Sequence, residues 1–374
     1  QVAYKAHYKM KIINFKISNI HVLNYSDAID KEISFLELKD HVFTLESFPE
    51  AIPYRTSYYD RRWGFCMSHN QWKSLDQTKE YHVYIDSDFN KNGSLTYATA
   101  LKSGTSEKEI LLSSYCCHPS LANDNLSGLI ASVLLFKELQ KRDTFYSYRL
   151  VIAPETIGVI CFLSQNQNFN SNILGGAVLT TLGGPGSLAI KRSYDHDSLV
   201  QKAADYLIRE SKETWKEYPF TPDGSDERQY STPGIRIPTI TLCKDKYYEY
   251  KEYHTSKDDL NFVKPVNLQK TILQYLDWID ILEMDRVYKR VEGSCEYQLG
   301  KRGLYPQTGG ANNQIGVKKS LEVIHNTYSM NWLMHGLDGK TSLLDLSLRS
   351  GLPLKDLYFH SQLFLEKELI KEVK

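Results

Sequence analysis

The sequence is short of several things, and each shortage removes a class of protein. No apolar run approaches the roughly 20 residues needed to span a bilayer, and no basic stretch followed by an apolar one opens the chain, so neither an anchor nor a secretory signal is expected. Neither sign of charge dominates: 45 Lys and Arg meet 45 Asp and Glu among 374 residues. Such a balance leaves no electrostatic footprint for bulk nucleic-acid or membrane binding. Cysteine is sparse, with six residues at 66, 116, 117, 161, 243 and 295, none in zinc-finger spacing. Several of them lie in apolar strands, so reduced thiols in a cytoplasmic protein are expected. No internal repeat or low-complexity tract is present. What remains is ordinary for a globular chain, 41% hydrophobic and 24% charged, and long enough for two or three domains.

Residues 1–25 alternate apolar and polar positions and read as a strand pair. Residues 26–105 read as a separate β-rich unit. Within it Ile33–Leu38 is amphipathic, and the strings Tyr81–Asp86 and Ser94–Thr99 flank a turn at Asn92–Gly93. Between about 106 and 290 the pattern alternates. Strands are expected at 109–115, 148–153, 176–181 and 238–242, and helices at 126–141, 156–166, 195–212 and 266–285. Strands alternating with helices imply an α/β layered domain. Leu126, Ile130, Val133 and Leu134 read as the apolar face of the first of these helices. A glycine-rich linker covers 291–315. Residues 316–374 read as a winged helix, with one helix at Thr341–Leu348, a turn at Gly351–Pro353 and a second helix from Leu354.

Chemistry collects at the carboxyl ends of strands in an open α/β sheet, and four loops there carry polar side chains. The first holds His118 and Asp124, six residues apart; imidazole and carboxylate are the usual ligands of catalytic zinc, although such a pair alone is more often a turn residue and a cap. The second ends a β-type run with Glu155 as a helix begins, where a carboxylate also suits the helix dipole. The third is the polar stretch Asp223–Tyr230, with Asp226, Glu227 and Arg228, and a solvated turn would read the same way. The fourth is Glu252–Leu260, in which His254 is either a ligand or a turn residue, and Ser256 or Asp258 is a cap for the next helix. Any one loop means little. Four on one sheet edge form the pattern expected of a metal hydrolase.

His118–Gly128, Pro154–Gly158, Gly224–Tyr230 and Tyr253–Ser256 resemble the zinc-aminopeptidase fold. More closely, they resemble the bacterial aminopeptidase-like proteins associated with polysaccharide biosynthesis, which carry an inserted β domain and a C-terminal winged helix. Arg62–Cys66 and Gly300–Pro306 also look like segments of that family. The resemblance covers nearly the whole chain. It implies a three-layer α/β/α domain built from residues 1–25 and 106–290, with a small β-rich insertion at 26–105 and a winged-helix domain at 316–374. It also implies roles: His118, Asp124 and His254 as zinc ligands, Glu155 as the general base, and a cis peptide at Asp124–Asn125. Arg228 would hold a substrate carboxylate, and Asp226 or Glu227 a substrate ammonium. Family members usually begin with a further helical segment, and this chain opens on Gln1, so a missing natural N-terminus is expected.

Two departures bear on the metal. The superfamily has a second glutamate after the base, where this chain has Thr156, and an aspartate where this chain reads Gly183–Gly184. Three remaining ligands plus water match the mononuclear catalytic template, so one zinc ion is expected. The expected function is hydrolysis of an amide bond, in a small peptide or an N-acyl amino sugar, in connection with surface polysaccharide biosynthesis. The alternative is a catalytically silent scaffold of the same fold in a glycan pathway. Lys318–Lys374 carries eight Lys or Arg against seven Asp or Glu, and the second helix of the winged-helix motif has no arginine. A nucleic-acid partner needs a basic face, so a protein partner or homo-oligomer through this domain is expected instead. Trp332, Met334 and Phe359 are its candidate docking residues, unless they form its core.

Overall fold

Apolar β-type runs flanked by amphipathic segments fold here into a mixed sheet with helices against it. The structure, a computed structural model, describes residues 20–304 and 321–373. Residues 1–19, which hold most of the expected first strand pair, lie outside the described residues, as do Tyr305 and Pro306 of the glycine-rich motif. The chain divides into two units. The first runs through Tyr194 and resumes over Thr214–Leu273; the second comprises Asp195–Glu213 and the residues from Gln274 onward.

The first unit begins with β1 (Ile29–Ser34), α1 (Phe35–Lys39), β2 (Val42–Phe43), β3 (Phe65–Cys66), α2 (His69–Lys73) and β4 (Glu80–Ile85). Antiparallel pairing of β1 with β4 puts Ile33, Val83 and Ile85 in one small core with Leu38, Phe65 and Met67. The two strings on either side of Asn92–Gly93 do not form a hairpin. The second contributes to β5 (Ala98–Lys102), which leaves β4 and pairs antiparallel with β7 (Ser147–Ala153) of the main sheet. The reason is partner choice: β1 already pairs with β4, and β5 covers the free edge of β7, whose backbone groups need partners.

The main sheet also contains β6 (Glu109–Tyr115), β8 (Ile173–Val178), β9 (Leu188–Lys191), β10 (Trp215–Tyr218) and β11 (Thr239–Cys243), in the order β10-β9-β11-β8-β6-β7-β5. Its central strands β7, β6, β8 and β11 are mutually parallel. Helices α3 (Gly128–Leu139) and α4 (Ile157–Gln165) follow β6 and β7. Helix α5 (Leu199–Glu210) belongs to the second unit, and the short α6 (Glu227–Tyr230) precedes β11. Side chains alternate along β6. Leu111 and Tyr115 share a core with Val159 and Phe162 of α4 and Tyr230 of α6, while Ser114 on the other face meets Asn125 at the start of α3. Close approach of β6 and β8 requires Gly176, where a Cβ would run into the Leu111 carbonyl. One expectation is corrected. Leu126, Ile130, Val133 and Leu134 are 42–48% exposed, and α3 buries Ala131, Leu135, Phe136 and Leu139 instead. Both sets recur at helical spacing, so periodicity alone could not decide which one faces the sheet.

The second unit continues through α7 (Pro265–Met284), most of which lies in it, to β12 (Val287–Arg290), α8 (Leu321–Gly336), β13 (Asp338–Ser342), α9 (Leu343–Ser350), α10 (Leu354–Glu366) and β14 (Ile370–Glu372). Its three strands pair antiparallel as β13-β12-β14. Ser342 caps α9 by accepting from the Asp345 N–H, and Gly351, in the left-handed conformation, ends it before the Pro353 turn into α10. This is a winged helix. Met334 lies in its core, Trp332 is half-buried and Phe359 is exposed. Among the described residues no helix is long and apolar enough to cross a membrane.

Asp285 reports on this unit's stability. Its carboxylate accepts from the Leu344 N–H at 2.8 Å, and burial pushes its pKa up to about 6 from an ordinary value near 3.8. A carboxyl raised in the folded state favours the protonated form there. Its contribution is therefore most favourable below the unfolded value and weakens as pH climbs toward 6, by about 3 kcal/mol in all. Asp285→Asn keeps the acceptor and removes the charge. Denaturant melts should show the variant gaining on the parent between pH 4 and about 6; a stability difference that does not change with pH would contradict this assignment.

Candidate metal centre

The parallel strands β6, β7, β8 and β11 all deliver their following loops to one edge of the sheet. His118 follows β6, Glu155 follows β7, Thr180 follows β8 and His254 lies in the loop after β11. Ligand atoms of His118, Asp124 and His254 lie within 4.8 Å of one another. His254 Nε2 is 3.1 Å from Asp124 Oδ2, and Glu155 Oε2 is 3.7 Å from His118 Nε2. The four residues expected from the sequence to act together are thus brought together.

Each is held by neighbours. The Tyr115 hydroxyl donates to Asp124 Oδ1 at 2.6 Å and also meets Thr180 Oγ1 at 2.6 Å. Asp258 accepts the backbone N–H groups of Asn123 and Asp124, fixing the turn that presents the carboxylate. Asn125 Nδ2 donates to Ser114 Oγ and to the Leu179 carbonyl, and the Asp124–Asn125 peptide is cis. His254 has a left-handed backbone, φ 52°, held because its carbonyl accepts from the Tyr54 N–H at 2.7 Å beside a bridge between Pro53 and Thr255. Tyr253 stacks on the His254 ring at 3.9 Å, and Tyr54 meets both imidazoles edge-on. Partners of this kind fix how a ligand side chain points. Tyr54, Tyr115 and Tyr253 were not among the expected site residues. Tyrosine abundance (26 residues) was the available signal, and it does not say which ones converge.

Charge follows the same geometry. Burial opposes ionisation of Asp124, but the His254 hydrogen bond, the two imidazoles and Tyr115 outweigh it and hold the carboxyl below its usual range. Burial lowers the pKa of His118, favouring the neutral imidazole that binds metals. Burial, then the nearby Asp124 and Asp226, push Glu155 well above the usual carboxylate range. Burial likewise raises Asp258 to about 6 and Asp226 to about 7.

The 223–230 loop reaches the site differently from expectation. Asp226 Oδ1 accepts the Thr156 N–H at 2.7 Å, and Arg228 donates to Thr156 Oγ1 at 3.1 Å. Thr156 has φ 61°, so this grip stabilises the strained turn behind Glu155. Glu227 is enclosed with Lys191, whose Nζ lies 2.7 Å from Oε1, and with the Tyr247 hydroxyl. Asp226 and Glu227, expected to receive a substrate ammonium, are fully buried, each with one carboxylate oxygen engaged as above and the other, Oδ2 of Asp226 and Oε2 of Glu227, without a hydrogen-bond partner. Arg228 remains half-buried. A Cβ at Gly184 would meet the tip of the Asp245 side chain, which would have to move aside.

The donor set of two imidazoles and one ionised carboxylate, oriented by a tyrosine and a buried aspartate, suits zinc. The class defined by this fold is the aminopeptidase-like α/β proteins carrying a C-terminal winged helix. The zinc aminopeptidase BSAP of Bacillus subtilis shares the fold with a TM-score of 0.51 and 12% identity, over 64% of this chain and 62% of that one. A crystal structure of a provisionally named peptidase from Clostridium acetobutylicum is similar at a TM-score of 0.87 and 35% identity, over 100% of this chain and 82% of that one. The family model described as "Domain of unknown function (DUF4910)" matches residues 11–285, and the chain belongs to that family; a winged helix-turn-helix model matches residues 286–372. A Clostridium acetobutylicum relative, provisionally named a polysaccharide biosynthesis protein with aminopeptidase-like domain, is 38% identical over 363 residues, 97% of this chain and 81% of the relative.

The enclosed pair can be tested by its energy. Lys191 and Glu227 are both buried. Lys191→Met should therefore leave an uncompensated carboxylate and cost about 3–5 kcal/mol in urea unfolding. A loss below about 1 kcal/mol, as for an exposed pair, would return Glu227 to the surface of the site.

Proposed function

We propose that this chain is a metal-dependent hydrolase of an amide bond, holding one zinc ion with His118, Asp124 and His254 and using Glu155 as its general base. The observation that carries the reading is the convergence of three ligand atoms within 4.8 Å with the Glu155 carboxylate beside them. A zinc ion held by His118, Asp124 and His254 would supply Lewis acidity at this position. Glu155 takes a proton from the water whose oxygen bonds to the scissile carbonyl carbon, and hands that proton to the amine nitrogen as the carbon–nitrogen bond breaks. Tyr54 and Tyr253 hold the imidazoles and narrow the approach to them. Arg228 is assigned a substrate carboxylate, which its planar fork of donors matches, while Asp226 keeps the Glu155–Thr156 turn in place.

The substrate class is a small peptide or an N-acyl amino sugar. The relative's polysaccharide-biosynthesis name supports the second, and its aminopeptidase-like domain supports the first. The free cysteines fit a cytoplasmic protein. The nearly neutral winged helix fits a protein partner or a second copy of the chain better than DNA. Thr156 and Gly184, at positions where a second metal would need ligands, favour one ion over two. The same two departures support the second reading, a catalytically silent scaffold of this fold in a glycan pathway, which absence of zinc after purification in zinc-containing buffer would favour.

Glu155→Gln is the discriminating variant. It should retain about one zinc per chain by mass spectrometry while hydrolysis of a panel of aminoacyl and N-acyl amino-sugar amides falls by about 10²–10⁴. His254→Ala should lose the zinc. Full hydrolysis by a zinc-loaded Glu155→Gln protein would remove the base, and a zinc-loaded parent inert on the whole panel would favour the scaffold.

A further inference from the structure

A second donor group lies against the first. Cys117 Sγ is 3.4 Å from His118 Nδ1, Glu155 Oε2 is 3.7 Å from His118 Nε2, and ligand atoms of Cys117, His118 and Glu155 all fall within 4.8 Å of one another. The Glu155 N–H donates to Cys117 Sγ at 3.4 Å, which ties the sulfur to the loop that carries the carboxylate. Tetrahedral zinc, with bonds of about 2.3 Å to sulfur and 2.0–2.1 Å to nitrogen, sets those two ligands roughly 3.5 Å apart, which the sulfur and Nδ1 already meet; Glu155 lies nearest the other ring nitrogen, so its carboxylate must swing toward Nδ1 to complete the group. Cys117 is exposed, and it lines a cavity of about 360 Å³ with His118, Ser120, Leu126 and Leu260 that gives an ion access. Thiolate selects soft cations, whereas the neighbouring triad has no sulfur.

We propose that Cys117, His118 and Glu155 form a second metal-binding mode, selective for a thiophilic divalent cation such as cadmium, that competes with the triad for His118. On binding, the sulfur–hydrogen bond breaks, the sulfur–metal bond forms and the proton leaves to solvent. Its consequence for turnover rests on the function proposed above: an ion held there occupies Glu155 and withdraws an imidazole, so it inhibits. The site itself stands without that function.

The test titrates metal-free protein with cadmium alone and follows the ultraviolet thiolate-to-cadmium charge-transfer band, with bound cadmium counted by equilibrium dialysis. The parent should develop the band. Cys117→Ser should lose it while still taking up cadmium through the triad, and Cys116→Ser and His254→Ala should keep it. No band in the parent, a band that survives in Cys117→Ser, or one that disappears in Cys116→Ser or His254→Ala would overturn the proposal. A Cys117→Ser protein that binds no cadmium at all would leave the sulfur mode standing and count against the triad instead.

Discussion

The contact between His254 and Asp124 is the constraint on which the site depends. It joins side chains 130 positions apart at 3.1 Å, and one of the two carboxylate oxygens is already claimed by Tyr115. Burying an aspartate is expensive unless its charge is answered, and here two imidazoles and a phenol answer it. A cation would answer it better, because the same oxygen and nitrogen atoms could then face a full positive charge rather than one another.

Around that contact the fold works as a clamp made of backbone. Four parallel strands end together, so four loops must share one edge. Three of these loops are then fixed by a neighbour: the Asp124 turn by Asp258, the His254 turn by Pro53 and Tyr54, and the Glu155 turn by Asp226 and Arg228. Thr156 and His254, two of the non-glycine residues with positive φ beside the chemistry, are held by these crossing hydrogen bonds. Such conformations persist only where the surroundings over-determine them.

Much of this was legible in the chain. Strand β6 and the helix after it, the alternation up to Met284 and the winged helix all follow from local patterning, because apolar period and turn residues are local signals. The membership of His118, Asp124, Glu155 and His254 in one group was legible through short motifs at strand ends. What stayed hidden depends on long-range partners. The bridge from Pro53 to Thr255 spans about 200 positions, and no local feature of Tyr54 announces that its ring will lie against two histidines. The pairing of β5 with β7 rather than with β4 turns on which edge is free, and the exposed stripe of α3 mimics a core stripe. Glu227 looked like a surface carboxylate until Lys191, distant in sequence, enclosed it.

The central claim is that one divalent cation sits among His118, Asp124 and His254. An anomalous difference map collected across the zinc absorption edge, on crystals of protein purified with zinc present, tests it most directly. The account predicts a single strong peak per chain, within bonding distance of both imidazoles and the Asp124 carboxylate. No peak there, or a peak bound elsewhere with those three side chains closed on one another, would contradict it.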